Sequence, residues 1–356
     1  MRLFPRIRTG SKSLRTYRQK IAVFLKAVAV TAILAVATFA MFVPFDVVRD
    51  TIVSKVSAIF SSSGGATMLL VPDDSVYSDT TVPKCTASAP SHTQDFATCP
   101  SFVLDYRQAA NGSVSERFLN IFKGRSGTNE EQQIYTASPQ NVRIENGSLV
   151  LEARNGAQPG APYTSARIDT KTKQDFLYGR IVVRAKLPKA TGTWPAIWML
   201  PSQPKYAALI SPTESSHLAD GEIDIAEAIG RQPNVVYGVA HSLSYDSNGV
   251  DRTYFNTVKI PGNDTTFHNY EVQWTPTSLT YKVDGKTFFS YAKPAGADYR
   301  SWPYDQRFYL IINIAMGGTW AGQDRKNFPI DGIDRDALPA SLRVESIQYY
   351  PYINQK

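Results

Sequence analysis

Two patterns of apolar residues divide the chain into a short N-terminal part and a long body. Ile21 to Phe45 is almost entirely apolar, and Ala27 to Phe45 is an uncharged run of 19 residues. A run of this length is long enough to span a bilayer as a helix. From about residue 101 onward, short β-rich runs alternate with turn signals and no long helical period is present. The pattern predicts one membrane helix followed by an all-β domain.

The body carries hairpin signals between its apolar runs. Asn146-Gly147 separates Val142–Ile144 from Leu149–Glu152, and this dipeptide favours a tight two-residue turn. Asp284-Gly285 follows an alternating run in the same way. This pattern over about 250 residues favours one β-sandwich rather than two domains, and no internal repeat is visible. The other predicted strands are Arg180–Leu187, Val235–His241, Leu279–Val283, Thr287–Tyr291, Leu342–Tyr350 and Phe308–Met316, the last of these buried on both faces.

One predicted strand, Gly221–Glu227, is unusually acidic. Glu222 and Asp224 point to one face, while Ile223 and Ile225 point to the other. Regular alternation would turn Glu227 into the core, where an unpaired charge is very costly. An extra residue near Ile225-Ala226, forming a β-bulge, returns Glu227 to the acidic face. We therefore expect all three carboxylates to line one surface.

Three carboxylates on one face form a candidate site for glycoside hydrolysis. With the bulge, the backbones of Glu222 and Glu227 are about 13 Å apart, and side chains that lean together bring the carboxylates to about 5–5.5 Å. At that separation one carboxylate attacks the sugar and the other transfers the proton, with retention of configuration. Asp224 can hydrogen-bond the nucleophile and help to keep the acid protonated. A solvated acidic face or a cation site built of oxygen ligands is the alternative interpretation.

Charge and composition locate the parts of the chain. Eight Lys and Arg lie within residues 1–26 and no acid precedes Asp46, so the formal charge of +7 becomes −1 without this segment. The nearly neutral body gives no reason to expect nucleic-acid binding. The basic flank should stay cytoplasmic, which puts the body outside. A cleaved signal peptide with a secreted product is the alternative, with Ala35-Val36-Ala37 as its cleavage site.

The expected domain order follows from these segments. Residues 1–20 form a basic cytoplasmic tail, 21–45 the anchor or signal segment, 46–104 a linker rich in Ser, Thr and Pro, and 105–356 the catalytic domain. The only two cysteines, Cys85 and Cys99, lie in the linker. Outside the cytoplasm they can close a disulfide loop, and two free thiols are the alternative.

Several other residues are candidates for sugar binding. Trp194 and Trp198 lie in one short segment, and aromatic rings can stack on the C–H faces of sugars or form part of a core. His241 lies on a strand expected beside the acidic one, where it has either a structural role or a sugar-binding one. Asn313 interrupts an apolar run and needs a hydrogen-bond partner if it is buried.

Taken in order, these segments resemble glycoside hydrolase family 16, and within it the bulged, laminarinase-like branch of β-1,3-glucanases. The similarity covers roughly residues 125–353. The matching segments are Asn129-x-Glu131-x-Gln133-x-Tyr135, Tyr163–Arg167, Tyr178–Arg180, Arg184–Pro188, Trp194–Trp198, Glu222–Glu227, Phe267–Tyr270, Trp274, Asp284-Gly285 and Asn313–Gly318.

The resemblance implies a concanavalin-like β-jelly-roll sandwich with a concave substrate cleft. It also implies Glu222 as nucleophile, Asp224 as its assisting acid and Glu227 as general acid/base. The residues that it places against the glucan are Trp194, Trp198, Arg167, His241 and Asn129. The implied activity is endo-hydrolysis of β-1,3-glucan, and of mixed β-1,3/1,4-glucan as a second substrate.

Two alternative functions stay open at the level of sequence. A sugar hydroxyl instead of water can resolve the glycosyl-enzyme, which would make the protein a transglycosylase. The same sandwich also serves as a lectin scaffold, which would make it a non-catalytic glucan-binding protein. We expect no required cofactor and a monomer, and the resemblance leaves room for a structural Ca²⁺ on the outer face of the sandwich.

Overall fold

The computed structural model describes residues 95–158, 161–210, 216–243 and 254–354. The predicted tail, anchor and most of the linker lie outside these residues. No helix among them is long and apolar enough to cross a membrane. Cys99 takes part in a disulfide, whereas Cys85 lies outside the described residues.

The described part of the chain is built on two sheets. The larger sheet contains β1 (Phe102–Asp105), β3 (Gln133–Tyr135), β4 (Val142–Glu145), β5 (Ser148–Gln158), β6 (Ala161–Ser165), β8 (Gly179–Lys186), β13 (His268–Thr275), β14 (Ser278–Val283), β15 (Lys286–Ala292) and β17 (Ala340–Tyr350). Its main order is β15-β14-β13-β8-β17-β5-β6-β3, with β1 paired to β17 and β4 to β5. Every pair is antiparallel except β3–β6.

The smaller sheet carries the acidic strand. It contains β2 (Asn120–Ile121), β7 (Arg167–Asp169), β9 (Thr193–Pro201), β10 (Glu222–Glu227), β11 (Val235–His241), β12 (Tyr254–Lys259) and β16 (Phe308–Met316). The order is β12-β11-β10-β9-β16-β7-β2. The helical elements of the described residues are short: a 3-10 turn (Ala207–Leu209), α1 (Ser216–Asp220) and α2 (Gly318–Ala321).

The core lies between the two sheets and follows the predicted alternation. In β8 the side chains of Ile181, Val183 and Ala185 are buried in the core, and they alternate with the less buried Arg180, Val182, Arg184 and Lys186. Trp274 of the larger sheet packs edge-to-face on Phe308 of the smaller sheet, with ring centroids 5.4 Å apart. All nine residues of β16 are buried, as the continuous apolar run predicts. The predicted all-β sandwich of the jelly-roll type is confirmed.

Both predicted hairpin turns are present. Asn146 and Gly147 have φ values of 51° and 70°, and Asp284 and Gly285 have values of 49° and 77°. Positive φ at both central residues is the backbone conformation that suits the right-handed twist of the strands. The turns join β4 to β5 and β14 to β15.

The sandwich begins earlier than the predicted boundary at residue 105. Phe102 pairs with Tyr349 in the larger sheet, and Phe96 forms an isolated bridge with Tyr352. Strand β1 therefore belongs to the domain although its surroundings have the composition of a linker. A four-residue strand at the end of such a segment is too short for its apolar pattern to outweigh its neighbours.

Candidate active site

The acidic strand β10 contains the predicted bulge. Against β11, Asp224 is opposite Val239 and Glu227 is opposite Tyr237, so three steps on β10 match two on β11. Against β9, the register shifts between Asp224 and Ala226. Ile223, Ile225 and Ala226 are all in the core. The side chain of the extra residue therefore points into the core. Glu222 and Glu227 line the same two cavities, which confirms the prediction that they share a surface.

The three carboxylates differ in their surroundings. Asp224 has a relative exposure of 1% and Glu227 of 8%, while Glu222 is half-buried. His241, opposite Glu222 in the sheet, places Nε2 3.1 Å from Asp224 Oδ2 and 3.9 Å from Glu222 Oε1. Asp224 thus lies beneath a surface formed by Glu222 and His241.

Metal binding was an alternative interpretation of these acids. Among the described residues, Glu222, Asp224 and His241 form the one group of His and acidic side chains whose ligand atoms are close enough to hold a metal ion, all within 4.8 Å. The structural Ca²⁺ that the sequence leaves open, on the outer face of the sandwich, would be a different site.

Burial and charge favour the protonated form of Glu227. Burial is the largest cause that raises the pKa of Glu227 well above its ordinary value, and the charge of Asp224 raises it further. The charge of His241 and the hydrogen bond from Trp194 act in the opposite direction. Burial and the neighbouring Glu222 also raise the pKa of Asp224. A carboxyl that stays protonated can donate a proton to a leaving group.

The two tryptophans of β9 lie in the cleft rather than in the core. Trp194 is half-buried, and its Nε1 donates a 2.8 Å hydrogen bond to Glu227 Oε1. Trp198 is also half-buried, and its Nε1 donates a 2.7 Å hydrogen bond to Asn313 Oδ1. The guanidinium of Arg167 is stacked between Trp198 and Phe122, at 5.2 Å and 5.1 Å from the ring centroids. Both indoles therefore have a fixed orientation.

A chain of hydrogen bonds supports Trp198 from below. Asn313 Nδ2 donates to the Tyr135 hydroxyl at 3.1 Å, and that hydroxyl donates to Glu131 Oε2 at 3.4 Å. Gln133 Nε2 also donates to Glu131 Oε2, at 2.6 Å. The predicted partner of Asn313 is therefore a pair, Trp198 and Tyr135. These contacts fix which way the Asn313 amide faces.

Asn129 is held at the cleft by an unusual backbone arrangement. Asn129 and Glu130 have φ values of 53° and 55°. The carbonyl of Asn129 accepts a 3.0 Å hydrogen bond from the Thr319 amide. Gly318 has a φ of 75°, and a Cβ there would lie 2.4 Å from the Asn129 carbonyl oxygen. Glycine at 318 thus allows the Asn129 loop and α2 to approach each other at the cleft.

All five residues expected against the glucan line one or both of two adjoining cavities. One has a volume of about 530 Å³ and the other about 400 Å³. Both are lined by Asn129, Trp194, Glu222 and Glu227. His241 lines only the larger cavity, while Arg167 and Trp198 line only the smaller one. The acids therefore lie where the two cavities meet, as a cleft that is open on both sides of a scissile bond requires.

Sequence reasoning missed several residues of the cleft. The larger cavity is also lined by Tyr237, Phe255 and Trp320, and the smaller one by Glu131 and Tyr135. Glu131 and Tyr135 lie in a segment that resembles the family, but the sequence alone gave them no role in the cleft. Nothing in the local pattern of Phe255 distinguishes it from any other aromatic residue of a strand.

Comparison with known proteins identifies close relatives. The family profile "Glycosyl hydrolases family 16" matches residues 129–331. The chain is 39% identical to a β-glucanase of Rhodothermus marinus over 236 residues, which cover 65% of this chain and 77% of that protein. The structure of the laminarinase from Rhodothermus marinus superposes with a TM-score of 0.63 at 36% identity, and covers 71% of this chain and 97% of the laminarinase.

A second similar structure contains a sugar. It is a Glu-to-Ser variant of SCLam, described as a non-specific endo-β-1,3(4)-glucanase from family GH16 and co-crystallised with 1,3-β-D-cellotriosyl-glucose. Its TM-score is 0.62 at 29% identity, with 74% of this chain and 96% of SCLam covered.

Proposed function

The chain belongs to glycosyl hydrolases family 16, and from this membership we propose that it is a retaining, endo-acting β-glucanase that cleaves β-1,3-glucan. The observation that carries the proposal is the bulged strand β10, which brings Glu222 and Glu227 to the junction of the two cavities with Asp224 between them. The cavities extend to both sides of the acids, which suits attack within a chain rather than at its end. Mixed β-1,3/1,4-glucan is included as a second substrate.

The first step forms a glycosyl-enzyme. The carboxylate of Glu222 attacks the anomeric carbon of the sugar, and the bond between that carbon and the glycosidic oxygen breaks. Glu227 gives its proton to the departing oxygen, for which its raised pKa prepares it. Asp224, buried between them and in contact with Glu222, orients the nucleophile and opposes ionisation of Glu227.

The second step releases the sugar. Glu227, now a carboxylate, takes a proton from water, and the oxygen of that water attacks the anomeric carbon from the face opposite Glu222. The bond to Glu222 breaks and the free carboxylate is restored. Two inversions leave the product with the configuration of the substrate.

The other parts of the proposal concern the location of the protein. The anchor at residues 21–45, a catalytic domain outside the cytoplasm and a monomeric state rest on the sequence pattern alone. Cell fractionation tests the anchor: a membrane-bound protein of full length supports it, and a soluble protein that begins near Thr38 shows a cleaved signal instead.

Incubation with a panel of polysaccharides tests the activity. We expect the protein to shorten laminarin to a ladder of oligosaccharides, to cut lichenan, and to leave agarose, carrageenan and xyloglucan intact. The anomeric NMR signal of the first product should be β. Products longer than the starting oligosaccharide would show transglycosylation, and binding of laminarin without any cleavage would show a glucan-binding protein.

A further inference from the structure

The two cavities that meet at the acids have different chemical linings. Apart from the residues that they share, the smaller cavity is lined by the polar groups of Arg167, Glu131 and Asn313 and also by Tyr135, Trp198 and Leu200. The larger cavity is lined by Tyr237, Phe255 and Trp320, together with His241, Val239 and Leu218. We call the smaller cavity the polar arm and the larger one the aromatic arm.

Sheet register explains how Phe255 comes to face the cleft. In β11, Val236 and Ala240 are buried in the core between the sheets, so Tyr237, Val239 and His241 point to the opposite face. Phe255 of β12 pairs with Val239, and paired residues lie on the same face of a sheet. His241 pairs with Glu222 in the same way. Phe255 therefore lies on the face of the sheet that carries the acids.

The aromatic rings form a continuous row that starts at the general acid. Trp194, which hydrogen-bonds Glu227, lies edge-to-face with Trp320 at 5.0 Å. Trp320 lies edge-to-face with Tyr237 at 5.0 Å, and Tyr237 is 6.4 Å from Phe255. The row therefore extends from the scissile position to the outer strand of the sheet.

The rings of this row are held in place without being buried. The Tyr237 hydroxyl hydrogen-bonds Gln232 Oε1, and Arg231 Nε donates to the backbone carbonyl of Trp320 at 3.4 Å. Phe255 is 57% exposed. A large apolar side chain gains little from packing at that exposure. Its place in a cavity lined by other aromatic residues indicates a ligand with apolar faces.

We propose that Tyr237, Phe255 and Trp320 bind further glucosyl residues of the β-glucan chain whose scissile bond lies at Glu222 and Glu227. This inference rests on the proposed function and deepens it. Aromatic rings pack on the C–H faces of a sugar and make no directional contact with its hydroxyls. The aromatic arm therefore adds affinity that grows with chain length and does not discriminate between linkages.

The experiment measures kcat/KM on β-1,3-linked and mixed-linkage gluco-oligosaccharides of increasing length. For the wild-type protein, kcat/KM should rise with length. In Phe255→Ala, we expect a loss of about 3- to 10-fold on the longest substrates, equal for both linkage types, and a loss that becomes smaller as the oligosaccharide becomes shorter. Phe255→Tyr keeps the ring and should restore the rise. Ile330→Ala is the matched control, because Ile330 is 80% exposed and lines neither arm.

Direct binding separates the failure of this inference from the failure of the proposed function. Laminarihexaose is titrated calorimetrically into Glu222→Gln and into Glu222→Gln/Phe255→Ala. Weaker binding by the double variant supports the role of the aromatic arm in glucan binding even if the wild-type protein cleaves nothing. Equal binding by the two variants overturns that role and leaves the glucanase proposal intact. The same holds if kcat/KM depends on substrate length identically in Phe255→Ala and in the wild-type protein. Absence of binding by both variants together with absence of cleavage overturns both.

Discussion

The indole Nε1 of Trp194 donates a 2.8 Å hydrogen bond to Oε1 of Glu227. One residue thus belongs both to the aromatic lining of the cleft and to the immediate surroundings of the proposed general acid. A donor stabilises the ionised carboxylate, so this bond lowers the pKa of Glu227 against the larger opposing effect of burial.

Trp194→Phe should therefore move the pH dependence of activity. Removal of the donor raises the pKa of Glu227 further, and a general acid is active below its pKa, so the alkaline limb of kcat/KM should shift to higher pH. Trp198→Phe is the matched control, because its indole donates to Asn313 and not to an acid. An unchanged alkaline limb in Trp194→Phe, or an equal shift in both variants, would contradict the role of this bond.

The buried acids should reduce the stability of the folded protein. Burial raises the pKa of Glu227 above its unfolded value, so the folded state binds this proton more tightly. That contribution is complete below the ordinary glutamate pKa and is lost as the pH rises through the raised pKa. Glu227→Gln should raise the Tm at pH 7 by about 2–4 °C for each kcal/mol regained, and change it little at low pH.

Glu145→Gln should change the stability at pH 7 in the opposite direction. Hydrogen bonds from Arg143 and Arg343 lower the pKa of Glu145, so its contribution to stability is present at neutral pH and lost as the pH falls through the lowered pKa. This variant should have a slightly lower Tm at pH 7. Thermal unfolding across pH measures both variants, and a Glu227→Gln protein less stable than wild type at pH 7 would refute the argument.

Removal of the Tyr135 hydroxyl should weaken the hydrogen bonds that hold Trp198 in place. Tyr135→Phe leaves Asn313 Nδ2 without its acceptor and frees the amide that holds Trp198. We expect the free energy of unfolding to fall by about 1–3 kcal/mol. The KM for laminarin should be roughly 3- to 10-fold higher, because a less firmly held Trp198 should lose about the binding energy of one aromatic contact.

Tyr163→Phe is the control for this prediction. Tyr163 is equally buried, and its hydroxyl donates a 2.7 Å hydrogen bond to Asp331 away from both cavities. It should lose comparable stability and keep its KM. If both variants change stability and KM alike, the Tyr135 hydroxyl has a merely structural role.

The bulge can be tested by deletion of one residue. Without Ala226, Asp224 still pairs with Trp198 and Glu227 with Ala196, and Ile225 falls opposite Ile197. The acids should stay on one face, and activity should fall by roughly 100-fold through misplacement rather than vanish. Deletion of Ile223 must instead turn one carboxylate into the core and should abolish both folding and activity. Activity assays with circular dichroism distinguish the two, and equal loss of fold would contradict the parity argument.

The sequence alone was sufficient for features that depend on local alternation. The position of Glu227 follows from strand parity and the cost of a buried charge, and the two hairpin turns follow from dipeptides that accept positive φ. The full burial of Phe308–Met316 follows from its unbroken apolar run.

Features that depend on pairing between distant strands could not be predicted in this way. Phe255 faces the cleft because β12 pairs with β11 in one register, and a shift of one residue would turn it to the core side. Asn313 and Tyr135 are 178 residues apart in the chain. Trp320 follows Gly317 and Gly318, whose φ values of 69° and 75° turn the chain in a way that no apolar pattern specifies.

The central claim is that Glu222 is the nucleophile and Glu227 the general acid/base, and azide rescue of their alanine variants tests it most directly. An activated β-glucosyl donor needs no acid for departure, so Glu227→Ala should form the glycosyl-enzyme and then lack its base. Azide should restore turnover and give a β-glycosyl azide. In Glu222→Ala, azide should replace the lost carboxylate and give the α-azide. Anomeric NMR of the two products distinguishes the roles. The reversed pattern would exchange Glu222 and Glu227, and full glucan cleavage by both variants without azide would contradict the assignment of either residue.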